Sequence, residues 1–297
     1  MAIWSAERTV DEPLARRLLA QFPELDACSL RPLSEGWDYA IWVVDEAWAF
    51  RFPRRATVVP GVEVEIEALP RLAPLLPLPV PAAVFVGEPS DEFPWPFFGS
   101  PLLPGRELGE VPLDDGQRAD VGRQLAPFLR ALHAADLDVE LPRDGNRRAD
   151  MSDRVPKTRA QLAELEQLGI WERAPAVDSI LAEAERLPPP GLEAVVHGDL
   201  HFRQLLATDE GELTGVLDWV DICRTDPAVD LALFWGYLPP SARRAFLGAY
   251  GHVRDEQLLR ARVVALSVWG ALAHYGRVEG HAGITAEALA GLHRAVS

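Results

Sequence analysis

Cysteine is nearly absent: Cys28 and Cys223 are the two in 297 residues, and they lie far apart. That excludes a disulfide framework and zinc-knuckle spacing, and it makes a reducing cytoplasm the default compartment. Basic charge is scarce as well, with 29 Lys and Arg against 45 Asp and Glu, a net charge of −16. Such a balance argues against nucleic acid as a partner, because phosphate contacts need clustered cations. It suits a cationic small molecule, although acidity of this kind mainly serves solubility. No apolar run is long enough to span a membrane, and residues 1–13 carry charges where a signal peptide needs an apolar core. Repeats and low-complexity tails are lacking. What remains, 48% hydrophobic and 25% charged, is an ordinary soluble composition with room for two lobes.

Near the start, Thr9-Val10-Asp11-Glu12 before Pro13 reads as a capping box, and Leu14, Leu18 and Phe22 give one helical stripe. Residues 30–33, 39–44 and 48–52 are short and rich in β-branched or aromatic side chains, hence strands. The last two should form a hairpin across Asp45-Glu46-Ala47. Between the first two lies a polar turn, Ser34-Glu35-Gly36-Trp37-Asp38. Residues 62–72 read as a helix bearing Glu63, Glu65 and Glu67, followed by strands over 83–87 and 97–103. Beyond Gly105 the pattern turns helical, over 121–132 (with Pro127 inside), 151–168, and 178–187 with Asp178 as N-cap. Further helices are expected over 241–250, 256–275 and 285–296. The expectation is an α+β chain, β-rich over residues 1–103 and mainly helical over 104–297.

The stretch 195–219, VVHGDLHFRQLLATDEGELTGVLDW, concentrates polar side chains between brief apolar strands at 195–196, 205–206 and 213–217. Asp199 sits in the turn after the first strand, Gln204 precedes the second, and Asp218 ends the third. A hairpin of this kind can aim two carboxylates and an amide at one point. A magnesium-phosphate group needs hard oxygen ligands and a base beside the nucleophile. Asp199 in a polar turn is the candidate base, while Gln204 and Asp218 could offer oxygen to the cation. Taken singly, Asp199 reads as a carboxylate capping its own loop and Asp218 as a strand-end turn. Together, at this spacing, they do not.

Three blocks carry a resemblance. His197-Gly198-Asp199 with Gln204, then Gly215-Val216-Leu217-Asp218-Trp219, then Asp226-Pro227-Ala228-Val229-Asp230-Leu231-Ala232 resemble the aminoglycoside phosphotransferase family, whose pattern is H-G-D-x-x-x-x-N, I-D-W and D-P-x-x-D-L-A. Trp48 through Arg55, WAFRFPRR, with the later PLPVP, looks like the macrolide branch. The resemblance implies a two-lobed protein-kinase-like fold, with a nucleotide-binding lobe over 1–103 and a catalytic, acceptor-binding lobe over 104–297. It implies ATP or GTP as co-substrate, Mg2+, and a small-molecule acceptor, an antibiotic or related metabolite, in a monomer or homodimer. Asp199 becomes the catalytic base, with Asp218 and Gln204 on the metal. Residues 34–38, with Ser34 and Gly36, would cover the phosphates. Residues 100–103, with Ser100 and Leu102, would be the hinge at the base. Arg51 stands where the family has a phosphate-gripping Lys, with Arg54 and Arg55 as alternatives. Glu65 would position that cation, His197 brace the loop, and Asp230 hold the loop by accepting hydrogen bonds.

Two departures stand out. Gln204 replaces Asn and reaches about an ångström further, so its loop must retreat to keep a ligand distance near 2.1 Å. Arg51 binds phosphate as a planar fork, where Lys presents a compact ammonium. One alternative is a catalytically silent kinase-like module that binds nucleotide or ligand. Another is a metal-dependent phosphohydrolase, suggested by alternating His197, Asp199 and His201. The latter needs further ligand blocks, an Asp-x-His and an Asn-His pair, that seven histidines here do not supply. Trp4, Trp42, Trp48, Trp171 and Trp269 read as packing residues. Trp235, Tyr237, His274 and Tyr275 read as core that could wall an acceptor pocket, and Cys223 lacks a neighbouring base.

Overall fold

The computed structural model describes residues 6–26, 29–36, 38–191 and 193–297; Trp4, Cys28 and Trp37 lie outside the described residues. The chain divides into two units, one of residues 1–74, 79–103 and 137–139, the other of 75–78, 104–136 and 140–297.

In the first unit, α1 (Glu12–Leu19) is capped by Asp11, whose carboxylate accepts from the Leu14 amide at 2.9 Å. The cap is thus Asp11 and not Thr9, and Glu12 is left to pair with Arg16 at 2.8 Å. Strands β1 (Leu30–Glu35), β2 (Tyr39–Val44), β3 (Trp48–Pro53), β4 (Phe85–Gly87) and β5 (Phe97–Pro101) form an antiparallel sheet in the order β1-β2-β3-β5-β4. Asp45 and Glu46 turn the β2–β3 hairpin at positive φ, 51° and 50°. Ser34, expected in a turn, belongs to β1 because the sheet extends one pair further, Glu35 opposite Ala40. Helix α2 (Val59–Leu72) buries Val62, Glu65, Ala68, Leu69 and Leu72 on one face.

Period-2 alternation sorts the sheet's side chains. Phe50, Phe52 and Phe97 face α1 in a core with Leu18, Phe22, Phe85 and Phe93, where Phe52 stacks on Phe97 at 4.9 Å. Gly99 lies under the Phe50 ring; a Cβ there would sit 2.5 Å from it, so only glycine admits the ring. Arg51, next along β3, points the other way, beside Phe98 of β5.

The second unit begins with β6 (Arg106–Glu107) and α3 (Asp115–His133), which opens with a reciprocal Asp114–Gln117 capping box. Then come α4 (Met151–Gln167) and α5 (Ala176–Ala184). Asp178 does not cap α5: the helix starts after Pro175, and the carboxylate pairs with Arg173 at 3.1 Å. Strands β7 (Ala194–Val196), β8 (Leu205–Ala207), β9 (Leu213–Val216) and β10 (Cys223–Thr225) make two small antiparallel sheets, β7 with β10 and β6-β8-β9. The helices α6 (Ala232–Gly236), α7 (Pro240–Tyr250), α8 (Asp255–Val278) and α9 (Ala282–Val296) follow, α8 packing against α4, α6 and α9. Trp269 of α8 is fully buried, as are Trp42 and Trp171 in large part, while Trp48 is half-buried against the first unit's core. Tyr237 is buried; Trp235, His274 and Tyr275 keep partial exposure. Cys223 is buried, and burial pushes its thiol up out of the nucleophilic range. Among the described residues no helix is long and apolar enough to cross a membrane.

Candidate active site

The turn after β7 is bent by Gly198, at φ +93°, where a Cβ would lie 2.3 Å from the Asp221 carbonyl oxygen. No other residue fits between the two loops. The turn is then held by Asp230, fully buried, whose carboxylate accepts from the His197 amide at 2.8 Å and the Gly198 amide at 3.1 Å. His133 Nε2 donates to the same carboxylate at 3.1 Å, and its Nδ1 meets the Tyr250 hydroxyl at 2.7 Å. Burial alone would raise the Asp230 carboxyl; the His133 hydrogen bond, the histidines' charge interactions and the His197 amide outweigh it and hold it below the usual range.

His197 ties the two halves of the site together. Its Nε2 donates to the Leu217 carbonyl at 2.8 Å, and its Nδ1 accepts from the Asp199 amide at 3.3 Å. One imidazole therefore spaces the residue before Asp218 from the backbone of Asp199, and it rests on Trp219 at 4.6 Å. Asp218 itself sits at φ +63°, a left-handed conformation that costs a non-glycine residue about 1–3 kcal/mol and gathers at functional sites. Beyond the tight helical turn Phe202–Gln204, the Gln204 carbonyl accepts from the Leu217 amide at 2.8 Å. That bond extends the β8–β9 hairpin and brings the side chains together, Gln204 Nε2 donating to Asp218 Oδ2 at 3.0 Å.

His201 is the buried floor. Its Nδ1 accepts from the Arg203 amide at 3.2 Å, so the neutral ring carries its proton on Nε2, 3.7 Å from Asp199 Oδ2. Burial, against the pull of Asp199, brings its pKa down to about 4. On the opposite side, Arg148 Nη2 lies 3.9 Å from Asp199 Oδ1 and 2.7 Å from Asp221 Oδ2. Neither Arg148 nor Asp221 stood out in the sequence, where both resemble ordinary surface charges; the position of Asp221, three residues after Asp218, was the one available signal.

Asp218 and Gln204 present a carboxylate and an amide, the hard donors that magnesium takes one or two at a time. Among the described residues no three His, Cys, Asp or Glu side chains cluster to enclose a metal. A cation here would complete its shell from phosphate and water, as magnesium does, with the Gln204 amide turned to present its oxygen. The donor set fits.

In the first unit, Arg51 is buried; Nη1 donates to Ser100 Oγ at 2.7 Å and the guanidinium lies 5.5 Å over Phe98. Glu65 is fully buried and accepts from the Tyr39 hydroxyl, whose ring meets Phe98 edge-on at 6.4 Å. Arg51 and Glu65 thus share the Tyr39–Phe98 face, whereas Glu63 and Glu67 are exposed. Arg54 donates to the Gly36 carbonyl and Arg55 pairs with Asp38, so both secure the turn after β1. Gly36 N donates to the Tyr39 carbonyl at 2.9 Å, closing that turn. The Leu102 amide donates to the Ala47 carbonyl at 2.8 Å, and Ser100 uses its hydroxyl on Arg51. The single lysine of the chain, Lys157, pairs with Asp153 on α4 at 2.7 Å. Any cation gripping phosphate from the first unit is therefore an arginine.

Known proteins resemble this arrangement at three levels. A relative in Bacillus subtilis strain 168, the uncharacterized protein YcbJ, is 28% identical over 205 residues, covering 63% of this chain and 62% of that protein. The fold matches the GDP and kanamycin complex of APH(2")-IIIa with a TM-score of 0.69 at 20% identity, over 96% of this chain and 98% of that one. It matches macrolide 2'-phosphotransferase MphH from Brachybacterium faecium, an apoenzyme, with a TM-score of 0.60 at 24% identity, over 93% and 96%. A β-sheet unit followed by a helical one is thus the kinase-like fold of these enzymes. The family model of APH, the phosphotransferase enzyme family, matches residues 29–263, which take in both the Arg51–Glu65 face and the Asp199–Asp218 loops, and the chain belongs to that family.

Proposed function

We propose that this protein is a small-molecule kinase, transferring the γ-phosphate of ATP or GTP to a hydroxyl of an aminoglycoside, a macrolide or a related metabolite. The observation that carries the reading is the His197 bridge, which sets Asp199 and Asp218 on either side of one imidazole with Gln204 on Asp218. Structural neighbours support the ligand classes: they include the GDP and kanamycin complex of APH(2")-IIIa and a streptomycin-ATP complex of APH(2")-IIa. On this reading residues 1–103 bind nucleotide and 104–297 carry catalysis and the acceptor. Residues 34–38 with Ser34 and Gly36 cover the phosphates, Arg51 and Glu65 orient them, and Ser100 and Leu102 border the base.

Phosphoryl transfer asks little covalent chemistry of the protein and much positioning. Asp199 orients the acceptor hydroxyl and takes its proton as the bond to phosphorus forms. Magnesium, when bound, supplies charge neutralisation at the phosphates, with Asp218 and Gln204 as the residues that would hold it. His197 and Asp230 keep Asp199 in place without moving a proton themselves. The net charge of −16 suits a cationic acceptor, and a cytoplasmic location would give access to nucleotide.

A screen of nucleotide turnover with ATP and GTP across aminoglycosides, macrolides and metabolite alcohols tests the reading. Asp199→Asn should fold normally and lose most turnover; a mutant as fast as the parent protein would remove Asp199 from the mechanism. The Gln204–Asp218 hydrogen bond is the one observation that favours a silent module, since it ties up the carboxylate. Magnesium-independent nucleotide binding with no turnover of any acceptor would favour that module.

A further inference from the structure

One guanidinium is placed among three carboxylates beside the Asp199 loop. Arg148 lies 2.7 Å from Asp221, 3.5 Å from Asp144 and 3.9 Å from Asp199. Its side chain is 13% exposed and that of Asp144 is 5% exposed. The loop bearing it is built: Asp144 accepts from the amides of Asn146 at 3.1 Å, Arg148 at 2.5 Å and Ala149 at 3.3 Å. Buried Arg260 donates to the Ala149 carbonyl at 2.7 Å, and Arg154 to the Asn146 carbonyl at 3.0 Å. Helix α4 starts immediately afterwards, capped by Asp150. Arg148 is therefore held from both ends of its loop and does not wander as a surface arginine would.

The Asp199 carboxylate stands between two donors. Oδ1 faces Arg148 and Oδ2 faces His201 Nε2 at 3.7 Å. Both approaches are longer than a hydrogen bond, so they orient the group without consuming its lone pairs. Asp221 meets the same Nη2 of Arg148 that faces Asp199, its backbone is pressed on Gly198, and it is steadied by Asn146 Nδ2 at 3.3 Å. Without a cation between them, two carboxylates on adjoining loops repel. Burial and the Asp199 charge raise the Asp221 carboxyl, and Arg148 pulls the other way.

We propose that Arg148, anchored by Asp221 and Asp144, is the positioning residue that aims the Asp199 carboxylate at the acceptor oxygen. This rests on the reading of Asp199 as the base. Arg148 touches no reacting atom; it sets the direction of the oxygen that does. With water as acceptor, the water oxygen bonds to the γ-phosphorus, its proton passes to Asp199, and the β–γ bridging oxygen leaves with the electron pair. A carboxylate swung away by about an ångström should slow that step roughly a hundredfold.

The test pairs crystallography with magnesium-dependent hydrolysis of ATP and GTP by the full chain. In Arg148→Met, the Asp199 carboxylate should move by more than about 0.5 Å. Hydrolytic kcat should fall roughly tenfold to a hundredfold, with nucleotide KM within about twofold. Arg148→Lys, which keeps the charge and loses the fork, should recover part of the rate. A purely structural arginine would lower the folded fraction and leave kcat per folded molecule intact, and that result overturns the proposal. So does a carboxylate that stays in place, or one that moves with no loss of rate. If Arg148→Met does not fold, Asp221→Asn removes the anchor and is read by the same two measurements. Asp199→Asn run alongside separates the readings: if it retains full hydrolysis, Asp199 is not the base, whatever Arg148 does. If the parent protein hydrolyses neither nucleotide, the crystallographic position of Asp199 alone decides.

Discussion

Gln204 Nε2 donates to Oδ2 of Asp218 at 3.0 Å, a side-chain bond between the two residues best suited to hold a cation. The longer amide reaches the carboxylate because its own backbone is already paired with Leu217. If magnesium binds here, the amide turns to present oxygen. Gln204→Ala should then raise the magnesium concentration for half-maximal turnover by about tenfold. The protein should remain folded, since Gln204 is partly exposed. An unchanged magnesium titration would show that the amide serves only Asp218.

His201 makes stability depend on pH in a defined direction. Its pKa lies at about 4 in the folded chain, below the value of 6.5 that the unfolded chain has. The unfolded state therefore takes up the proton first. Stability is full above pH 6.5, declines as pH falls toward 4, and levels off below that. The loss is on the order of 3 kcal/mol, from 1.36 kcal/mol per unit. Urea unfolding between pH 7 and 4 checks it, and His201→Gln should flatten the slope.

Asp230 acts in the adjoining, more acid window with the same sense. Its folded carboxyl is held below the ordinary range, so its contribution is present above the unfolded value near 3.9 and is lost as pH falls through the folded one. Asp230→Asn turns an amide donor or a weaker acceptor toward the His197 and Gly198 amides and His133. A cost of roughly 3–5 kcal/mol is expected at neutral pH. Chemical denaturation measures it, and the acid limb of the parent protein should disappear in the mutant.

Gly198→Ala tests the close approach of the two loops. The new Cβ meets the Asp221 carbonyl and the backbone keeps φ +93°. A destabilisation of roughly 2–4 kcal/mol should result, seen as a lower Tm, with turnover falling further than the folded fraction because Asp199 is displaced. Equal losses in both would mean that the turn tolerates the shift.

Much of the fold could be read along the chain because its signals are local. Residues 39–44 are rich in β-branched and aromatic side chains and form β2 with those ends, and the hairpin to β3 follows. The helix bearing three glutamates exists, and its burial singles out Glu65. Errors fell where the deciding contact is remote or the element is very short. β6 has two residues and β10 three, and each exists through its partner strand, β8 and β7. Asp178 has the chemistry of a cap, but Pro175 starts the helix earlier and Arg173 claims the carboxylate. In the candidate site, Asp199, Gln204 and Asp218 could be named from spacing within one hairpin. Arg148 could not, being 51 residues from Asp199 in a run of charges.

By itself, then, the sequence determined the order of the longer elements, the three blocks of the candidate site and the kind of chemistry they suit, because apolar periodicity and motif spacing act over a few residues. Tertiary structure alone decided which charges meet. It buried Glu65 and left Glu63 and Glu67 in solvent, turned the Gln204 amide onto Asp218, and seated Arg148 among Asp144, Asp199 and Asp221. Charge is not periodic, and a carboxylate's partner depends on loops that come together only when the core has closed.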